Sequence, residues 1–434
     1  MIWLYRLLFP CLLVLASPYY LGRMRRRGGY RRHFAHRFGA TPALPPKTPG
    51  VPRVWLQAVS VGEMLAIGPV LEGLRAGGAE IYLTTTTSTG YAVARERYLP
   101  LVAALGYFPV DWWPFSRRAW ARVAPDLVVL VESERWPEHL AQARARAVPV
   151  VCINARLSDR SLRRMRRLRK LAAALLFDGV SRVLAASVQD ADRFRELGVP
   201  AESIILTGSL KLDVAIPPMG DADKAGLRAE LGLPPSGLVL LGSSTWPGEE
   251  AALVQALVAA RGRGLAVSLL LVPRHAERRD EVRTLLDRTG LRCHFRLQGP
   301  APGERDVVVA DTTGELRKLT QLADVVFIGK SLAPHEGGQT PVEAAVLGRP
   351  VLHGPRMSNF REIARNLDTA GAALEVAHSS ALVAAVVDLL GDAPRRARMS
   401  AAALAWSAAN RGAGERTLVA LRGELARASA RPGI

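Results

Sequence analysis

The chain has 434 residues, which is too long for one ordinary hydrophobic core and predicts two or three domains at about 150 residues each. Its composition, 49% hydrophobic and 22% charged, excludes a disordered chain. The net charge of +19 requires an acidic partner, which could be nucleic acid, anionic lipid or a phosphorylated substrate. Cys11, Cys152 and Cys293 lack the spacing of metal ligands or redox motifs and fit a reduced, cytoplasmic interior.

The N-terminal residues predict a membrane anchor. The uncharged run from Leu7 to Leu21 is broken by Pro10 and Pro18, and as a helix it would span about 22 Å, short of the roughly 30 Å hydrocarbon core. An arginine-rich flank follows and is expected to stay on the cytoplasmic side. It contains Arg23, Arg25, Arg26, Arg27, Arg31, Arg32 and Arg37. We predict an anchor at residues 1–22, dipped into or barely crossing the bilayer, and a basic, Pro-rich linker at residues 23–50.

A cleaved signal peptide is the alternative for this N-terminal segment. Signal peptides carry their positive charge before the apolar run, whereas here the charge comes after it. The charge order therefore favours the anchor.

The first strand-to-helix turn of the folded chain carries one acid, Glu63. Residues 53–59 have the pattern of a buried strand, and apolar residues then recur at helical spacing from Met64 to Leu74. The carboxyl ends of parallel strands line ligand sites, so Ser60, Gly62 and Glu63 could face a ligand. Ser60 and Glu63 also have the spacing of a capping box, which needs no ligand. The two interpretations can coexist.

Alternating strand and helix patterns continue to residue 206. Strands are predicted at residues 80–85, 102–110, 126–132, 148–154, 183–186 and 203–206. This alternation predicts a parallel sheet with helices on both faces. The turn at residues 84–90, TTTTSTG, could bind an anion at a helix start or only cap the helix, and the sequence leaves both possibilities open.

Acids and cations also follow the later strands of this half. Glu132 and Glu134 come at the end of residues 126–132, and Glu134 could instead form a structural ion pair with Arg135. The segment at 161–170, SLRRMRRLRK, is a basic helix almost without aromatic residues, which favours membrane phosphates over nucleic-acid bases. Lys211 could be an ordinary surface lysine.

The second half repeats the alternation after a linker at residues 214–220. Strands are predicted at residues 238–243, 266–272, 291–297, 306–310, 324–328, 350–352 and 372–376. The sequence thus predicts an α/β protein with two Rossmann-like doubly wound domains facing a cleft, at residues 51–213 and 221–434.

Three turns of the second half have chemistry suited to a nucleotide. Arg274 follows a strand and offers a guanidinium for phosphate, and Gly314, Glu315 and Leu316 open a helix. In the stretch 331–343, SLAPHEGGQTPVE, we expect Gly337 and Gly338 to let the backbone approach a phosphate, Pro341 to start a helix, and Glu343 to accept ribose hydroxyls. A glutamate in a first turn also satisfies the helix dipole without a ligand.

Eight stretches, in order, resemble the signatures of one family, the 3-deoxy-D-manno-octulosonic acid (Kdo) transferases of lipopolysaccharide synthesis. They are AVSVGE at 58–63, ESERWP at 132–137, INARLS at 153–158, TGSLKLD at 207–213, VPRHAER at 272–278, DTTGEL at 311–316, SLAPHEGGQTPVEAA at 331–345 and GPRMSNFREI at 354–363. The resemblance extends from the N-terminal apolar run to about residue 400, and eight ordered motifs are more specific than any one of them.

The resemblance implies a GT-B glycosyltransferase on the cytoplasmic face of the inner membrane. Such an enzyme would move Kdo from CMP-Kdo to the tetraacyl lipid A precursor, with inversion and with neither metal nor cofactor. The implied partners are the lipid A precursor and an anionic membrane surface, and no nucleic acid is expected. The resemblance assigns the general base to Glu63 and transition-state stabilisation to Glu134 and Lys211.

The resemblance also assigns residues to the substrates. The implied CMP contacts are Pro273, Arg274, Gly314, Glu315, Leu316, Thr340, Pro341, Val342 and Glu343. Candidate acceptor or phosphate contacts are Ser60, Gly62, Arg156, Gly337 and Gly338. No metal ligand is implied.

The chain departs from the family pattern at three places. The family commonly has GGHN where Gln339 and Thr340 follow the two glycines, a His at the position of Trp246, and a Leu at that of Arg135. Threonine cannot reproduce the paired donor and acceptor of an amide, so this departure bears on donor affinity and on the choice of donor sugar. The rival hypotheses are a GT-B enzyme with another nucleotide sugar and a non-catalytic basic protein that binds membranes or nucleic acid.

Overall fold

A computed structural model of the chain describes residues 1–27, 33–132 and 134–430. It divides into two compact units, the first comprising Met1–Asp213 with Gly412–Ile434 and the second Val214–Arg411. Arg31, Arg32 and Ser133, which the sequence analysis placed in the basic flank and in one motif, lie outside the described residues, as do the side chains of residues 23–27.

The first unit contains one parallel sheet with the strand order β3-β2-β1-β4-β5-β6-β7. Its strands are β1 (Arg53–Gln57), β2 (Glu80–Thr85), β3 (Ala104–Tyr107), β4 (Leu127–Val131), β5 (Val150–Ala155), β6 (Arg182–Ala185) and β7 (Ile204–Leu206). Its helices before residue 214 are α1 (Ile2–Arg27), α2 (Val61–Ala66), α3 (Gly68–Ala76), α4 (Ser88–Tyr98), α5 (Trp113–Val123), α6 (Pro137–Ala145), α7 (Asp159–Arg167), α8 (Arg169–Ala172) and α9 (Val188–Glu196).

Both faces of this sheet are buried. In β1, Val54 and Leu56 join one apolar cluster and Trp55 joins a second cluster on the opposite face, as the two-residue period of a strand requires. Every residue of β1 and β4 is buried. A strand covered on both faces is a continuous apolar run, which is the signal that predicted these strands.

The second unit contains another parallel sheet, with the order β10-β11-β9-β8-β12-β13-β14. Its strands are β8 (Leu238–Thr245), β9 (Val267–Pro273), β10 (Cys293–Phe295), β11 (Val307–Val309), β12 (Val325–Ile328), β13 (Val351–His353) and β14 (Ala373–Glu375). Its helices are α10 (Asp221–Leu231), α11 (Glu249–Gly262), α12 (Arg279–Asp287), α13 (Leu316–Leu319), α14 (Val342–Val346), α15 (Arg361–Thr369), α16 (Ser379–Gly391) and α17 (Ala393–Asn410). The predicted pair of doubly wound α/β units is confirmed.

The C-terminal helix α18 (Ala413–Ser429) belongs to the first unit, which differs from the predicted second domain at 221–434. Leu418 and Leu421 join the apolar cluster that α3 covers, and a Cβ built on Gly73 of α3 would lie 2.3 Å from a methyl of Leu418. The side chain of Asp213 accepts hydrogen bonds from the N–H groups of Gly412 (3.0 Å) and Gly414 (2.6 Å). Burial of the apolar face of α18 therefore places it on the first unit.

Helix α1 continues through Pro10 and Pro18 and ends at Arg27, beyond the predicted anchor at residues 1–22. Its 26 residues correspond to about 39 Å, whereas the uncharged run from Leu7 to Leu21 alone would span about 22 Å. The window Ile2–Tyr19 has a mean hydropathy of 1.5 and is long and apolar enough to cross a membrane. The helix fits an N-terminal membrane anchor.

Candidate active site

The turn after β1 places Glu63 in the first turn of α2, where Ser60 and Glu63 cap the helix, although Glu63 bonds the Val59 N–H instead of the Ser60 N–H of a capping box. Ser60 is the N-cap residue, and its hydroxyl oxygen accepts from the Glu63 N–H (3.3 Å). In return, Glu63 Oε2 accepts from the Val59 N–H (2.8 Å) and Oε1 accepts from the Ser60 hydroxyl (2.8 Å). The cap interpretation is thus confirmed, and each carboxylate oxygen keeps a further lone pair for a ligand.

Glu63 is only 7% exposed, and its environment makes it a stronger base than a surface glutamate. Burial raises the pKa of Glu63 and outweighs the opposing hydrogen bonds from Val59 and Ser60. The nearby charge of Glu132 raises this pKa further, while that of Lys211 lowers it. A Cβ built on Gly62 would have no atom within 4 Å, so open space lies beside this turn.

The threonines after β2 support the same turn. The hydroxyls of Thr85 and Thr87 donate to the Val59 carbonyl at 3.1 and 2.7 Å. Thr87 also caps α4 by accepting from the Gly90 N–H (3.1 Å). Of the two interpretations of residues 84–90, the helix cap is the one that the structure confirms.

A polar network follows β4, β5 and β7 and holds Lys211. Its ammonium lies 2.5 Å from Glu132 Oε1, and Asn154 Nδ2 donates to the same oxygen (3.2 Å). Asn154 Oδ1 accepts from the Leu210 N–H (3.0 Å), so one fully buried amide bonds both Glu132 and the backbone next to Lys211. Lys211 is therefore not an ordinary surface lysine.

Sequence analysis missed Asn154, although it lies in the INARLS stretch at the end of β5. Its φ is +49°, in the left-handed region that asparagine tolerates better than most residues. An asparagine at the carboxyl end of a predicted central strand was the available signal. Arg156, a predicted acceptor contact, is half-buried two residues further along the chain.

The Glu134 carboxylate is near enough to Glu63 for the two charges to interact. It also accepts a hydrogen bond from the Trp136 indole (3.0 Å). Burial, and then the charge of Glu63, raise the pKa of Glu134 to about 7. The Glu134–Arg135 ion pair considered above is absent from the described part of the chain. Arg135 instead turns into the core between the rings of Phe177 (5.1 Å) and Phe194 (5.2 Å).

The first unit thus brings Glu63, Glu132, Glu134 and Lys211 to the carboxyl edge of its sheet. Two of these acids have raised pKa values, and one lysine supplies positive charge. A base, a second protonatable acid and a cation at one edge can accept a proton and stabilise developing charge.

In the second unit, Pro273 ends β9 and Arg274 follows it. The Arg274 N–H donates to the Thr245 carbonyl (3.1 Å), which fixes the backbone, while the side chain is exposed. Within residues 1–27, 33–132 and 134–430, the guanidinium of Arg274 has no hydrogen bond or ion pair. It is free to bind an anion. A cavity of about 560 Å³ is lined by Ala276, two residues further along the chain, and by Arg279, Asp311 and Thr312 among others.

The predicted Gly314–Leu316 turn precedes the four-residue helix α13. Gly314 has φ +88°, which favours glycine, and Glu315 is the N-cap residue. Glu315 Oε1 pairs with Arg296 Nη2 (3.3 Å), and Oε2 accepts from the Thr312 hydroxyl. Burial raises the pKa of Glu315, but these two hydrogen bonds outweigh it, and the net shift is downward. Its carboxylate is therefore ionised and already bonded.

The two predicted phosphate-binding glycines do not present free N–H groups. The Gly337 N–H donates to the Arg356 carbonyl and the Gly338 N–H to the Lys330 carbonyl, both at 3.0 Å. A Cβ on Gly337 would lie 2.7 Å from the Asn359 amide, and one on Gly338 would lie 2.3 Å from the Met357 sulfur. The glycines allow this loop to pack closely against the segment 357–359.

Glu343 keeps an acceptor that the described residues do not use. Pro341 is the N-cap of α14, and Thr340 Oγ1 accepts from the Val342 N–H (3.3 Å). Glu343 Oε1 lies 3.7 Å from Arg317 Nε, and in the described part of the chain Oε2 is buried without a hydrogen-bond partner. This carboxylate fits the predicted contact with ligand hydroxyls. Helix α14 has only five residues and adds little dipole of its own.

Trp246 forms an aromatic and cationic cluster in the second unit. Its ring lies 5.5 Å from that of His275 and 5.3 Å from that of His335, between centroids. The Lys330 ammonium lies 4.6 Å from the Trp246 ring centroid. Trp246, which stands where the family commonly has a histidine, therefore packs against two histidines and a lysine.

A second acid that sequence analysis missed, Glu249, starts α11 after β8. It is 2% exposed and accepts hydrogen bonds from four backbone N–H groups. The donors are Trp246 (2.9 Å), Lys330 (2.8 Å), Ser331 (3.0 Å) and Leu332 (3.2 Å). Burial raises the pKa of Glu249, and these four bonds oppose that rise. Glu249 ties the start of α11 to the loop after β12.

Comparisons with known proteins point to one family. The family model for 3-Deoxy-D-manno-octulosonic-acid transferase (kdotransferase) matches residues 32–214. The 3-deoxy-D-manno-octulosonic acid transferase of Bordetella pertussis is 38% identical over 410 residues, covering 92% of this chain and 94% of that protein. The chain belongs to the Kdo transferase family. The resemblance found from the motifs is confirmed.

Solved structures agree with the fold of this Kdo transferase. UDP-GlcNAc 2-epimerase from Neisseria meningitidis matches with a TM-score of 0.57 and 14% identity, covering 86% of this chain and all of the epimerase. A glycosyltransferase from Rickettsia africae matches with a TM-score of 0.56 and 12% identity, covering 88% of this chain and all of that structure. These likenesses support the predicted GT-B fold class, with two Rossmann-like units.

Proposed function

We propose that this Kdo transferase uses CMP-Kdo as donor and the tetraacyl lipid A precursor, lipid IVA, as acceptor. The reaction proceeds with inversion at the anomeric carbon and without a metal ion or cofactor. Family membership supports Kdo transfer, and the observation that carries the mechanism is the buried Glu63, whose raised pKa suits it to accept a proton.

In the proposed step, an acceptor hydroxyl attacks the anomeric carbon of Kdo and loses its proton to Glu63. The new bond joins the acceptor oxygen to that carbon, while the bond to the phosphate oxygen breaks and releases CMP. A positioned carboxylate of this kind contributes roughly 10² to 10⁴ in rate. The open space beside Gly62 gives the acceptor room next to this base.

Lys211 and Glu134 stabilise the transition state in this proposal. Lys211 is held by Glu132 (2.5 Å) and supplies a fixed positive charge. Glu134, with a pKa of about 7, can donate a hydrogen bond when protonated. Removing one such donor or cation typically costs about 10² to 10³ in kcat.

The second unit binds CMP in this proposal. The exposed Arg274 guanidinium contacts the phosphate, and the unused oxygen of Glu343 accepts from ribose hydroxyls. The remaining donor contacts are proposed at Pro273, Gly314, Glu315, Leu316, Thr340, Pro341 and Val342. The glycines 337 and 338 shape the loop, since their N–H groups are already bonded.

The acceptor is proposed to bind the first unit from the cytoplasmic face of the inner membrane. Helix α7 presents Arg163, Arg164 and Arg167 at the surface, and such cations attract the phosphates of a lipid. Binding to lipid phosphates accounts for the net charge of +19 without a nucleic-acid partner.

The test is transfer from CMP-Kdo to purified lipid IVA in detergent, comparing wild type with Glu63→Ala and Glu63→Gln. We expect both variants to lose at least about 100-fold in kcat while CMP binding is kept. The Tm of Glu63→Gln should be unchanged, whereas that of Glu63→Ala should fall because the Val59 N–H loses its acceptor. Glu96→Gln, a change at an exposed glutamate of α4, is the matched control and keeps full activity. Active Glu63 variants would leave Glu63 as a helix cap only.

Three further arms separate the parts of the proposal. Activity that survives EDTA supports the metal-independent reaction. Inhibition by CMP with indifference to UDP supports the donor. A wild type that is inert with CMP-Kdo and active with another nucleotide sugar would contradict the donor assignment and direct attention to Thr340 and Trp246.

A further inference from the structure

The N-terminal end of α1 is attached to the first unit by polar contacts with two buried acids. The Tyr5 hydroxyl donates to Asp111 Oδ2 (2.6 Å). Arg6 donates through Nε and Nη2 to the two carboxylate oxygens of Glu138, at 2.7 and 3.0 Å. The Glu138 side chain is fully buried and Asp111 is 2% exposed, so these are not loose surface pairs. We call these contacts of Tyr5 and Arg6 the clasp.

The acceptors of the clasp are fixed by the fold. Asp111 also accepts from the N–H groups of Glu138 (3.1 Å) and His139 (3.0 Å) at the start of α6. Arg6 is the cation paired with Glu138 in the described part of the chain. With α1 in place, removing the cation of Arg6 would leave the Glu138 carboxylate buried without its ion-pair partner, which is strongly unfavourable.

The chain that follows α1 returns to the same place. The Val110 N–H donates to the Arg37 carbonyl (2.9 Å), and Val110 is the neighbour of Asp111. Arg37 Nη2 donates to the Thr86 carbonyl (2.7 Å). Tyr5, near the start of α1, and Arg37, after its end, therefore contact the neighbouring residues Asp111 and Val110 of the first unit.

The rest of α1 exposes an apolar surface. The exposed side chains include Trp3, Leu4, Leu7, Leu8, Leu12, Leu15 and Tyr19, of which Leu15 is 77% exposed. No part of the window Ile2–Tyr19 is buried inside the protein. At about 39 Å the helix is long enough to span a bilayer, but a single span would carry Tyr5 and Arg6 to the side opposite Asp111 and Glu138.

We propose that α1 is an in-plane membrane helix whose N-terminal end is held by the clasp on the same side of the bilayer as the first unit. Its exposed leucines and Trp3 enter the apolar layer of an anionic membrane without crossing it. The charge of +19 and the arginines that follow the helix in the sequence complement such a surface. The proposal concerns the mode of membrane attachment and does not depend on the donor or acceptor.

Membrane topology tests the proposal directly. One epitope is placed before Met1 and another after residue 434 of the full chain, and protease is added to inverted inner-membrane vesicles and to spheroplasts. We expect both epitopes to be digested in the same preparation and protected in the other. Digestion of the two epitopes in opposite preparations would show that α1 crosses the bilayer and would overturn the proposal.

A charge exchange tests the clasp itself. Arg6→Glu and Glu138→Arg each place like charges together and are expected to lower the Tm in detergent by about 5 to 10 °C. The double variant restores opposite charges and recovers at least half of that loss. Arg75→Glu, at an exposed position of α3, is the control for net charge and leaves Tm unchanged.

The charge exchange can also contradict the clasp. If Arg6→Glu melts at the same temperature as wild type and Arg75→Glu, the clasp does not form. The topology measurement remains decisive if a single variant fails to fold, because it uses the wild-type sequence.

Discussion

Glu63 and Glu249 occupy corresponding turns of the two units. Each follows a central strand of its sheet, β1 or β8, and each lies in the first turn of the next helix. Both are buried, and both have a raised pKa because burial disfavours the carboxylate. The two turns therefore place a buried acid at the same point of each sheet.

The hydrogen-bond donors distinguish them. Glu249 accepts from four backbone N–H groups, three of which belong to Lys330, Ser331 and Leu332. Glu63 accepts from one backbone N–H and one hydroxyl, and Glu132 and Glu134 lie nearby. A carboxylate whose lone pairs are filled by the fold holds loops together, whereas one with few donors and acidic neighbours keeps the capacity to take a proton.

The largest expected effect comes from removing Glu249. Glu249→Ala leaves four N–H groups unpaired, two of them in buried hydrogen bonds, and at roughly 1 to 3 kcal/mol for each buried unpaired group the second unit should not fold stably. Glu249→Gln should lower the unfolding midpoint by more than about 10 °C, since its NH₂ group faces N–H donors. Thermal unfolding followed by circular dichroism measures both.

Glu63→Gln is the counterpart and should keep its unfolding midpoint while losing activity. If Glu249→Gln were as stable as wild type, the four hydrogen bonds would contribute little and the distinction between the turns would fail.

A smaller effect is expected at Asn154, which serves only the first unit. Asn154→Gly tolerates the φ of +49° but loses both amide contacts, to Glu132 and to the Leu210 N–H. Misplacing a catalytic group by about 1 Å can cost 10²-fold, so we expect kcat to fall 10- to 100-fold with CMP affinity unchanged. Steady-state kinetics and CMP titration measure the two quantities.

Asn154→Asp separates positioning from backbone conformation. Its carboxylate can still accept from the Leu210 N–H but repels Glu132, so activity should fall again. If Asn154→Gly were fully active, the asparagine would be needed only for its backbone conformation.

The raised pKa of Glu134, the acidic neighbour of Glu63, should make the stability of the protein depend on pH. With a pKa of about 7, against 4.5 in an exposed glutamate, the folded protein keeps this proton over a range where the unfolded chain releases it. Stability should therefore fall as pH rises from about 4.5 to about 7 and level off above. Tm measured across this range should show a weaker dependence in Glu134→Gln.

Glu63→Gln should also weaken this dependence, because the charge of Glu63 is one cause of the raised pKa. An identical pH profile in wild type and Glu134→Gln would show that Glu134 does not titrate in this range.

The smallest expected effect is at Arg135, a buried charge with few partners. The side chain is 6% exposed, and Nε and Nη1 lack hydrogen-bond partners among the described residues. Burial lowers its pKa. Replacing a poorly paired buried charge with a hydrophobic residue is often neutral or stabilising, so Arg135→Leu should keep activity and raise Tm by up to about 4 °C.

Arg135→Lys is the matched control and should lower Tm, because it keeps a buried charge and loses the planar stacking on Phe177 and Phe194. A fall in Tm for Arg135→Leu would show that the guanidinium is stabilising.

The fold could be predicted from the sequence because its signals are local. β4, with the sequence LVVLV, is a buried apolar run that periodicity identifies without any partner. Boundaries were less accurate: the predicted strand 102–110 is observed as Ala104–Tyr107. The position of α18 could not be predicted, because it depends on packing between Gly73 and Leu418, which lie far apart in the chain.

The candidate site was only partly predictable for the same reason. The helix cap formed by Ser60 and Glu63 lies within four residues and was visible in the sequence. Three of the four partners of Glu249 lie about eighty residues away, and the contact of Asn154 with Leu210 spans 56 positions. Motifs located Lys211 and Glu134, but only the structure shows that Glu132 holds the lysine and that Glu134 has a raised pKa.

The return of α18 to the first unit has a consequence for synthesis on the ribosome. Asp213 binds Gly412 and Gly414, so the second unit is inserted between two parts of the first. The insert can complete its own sheet during translation, whereas the unit that emerges first must wait for the last helix to cover its apolar surface. The first unit thus emerges first but is completed last. A nascent chain paused near residue 411 would expose the apolar surface of α3 to chaperones.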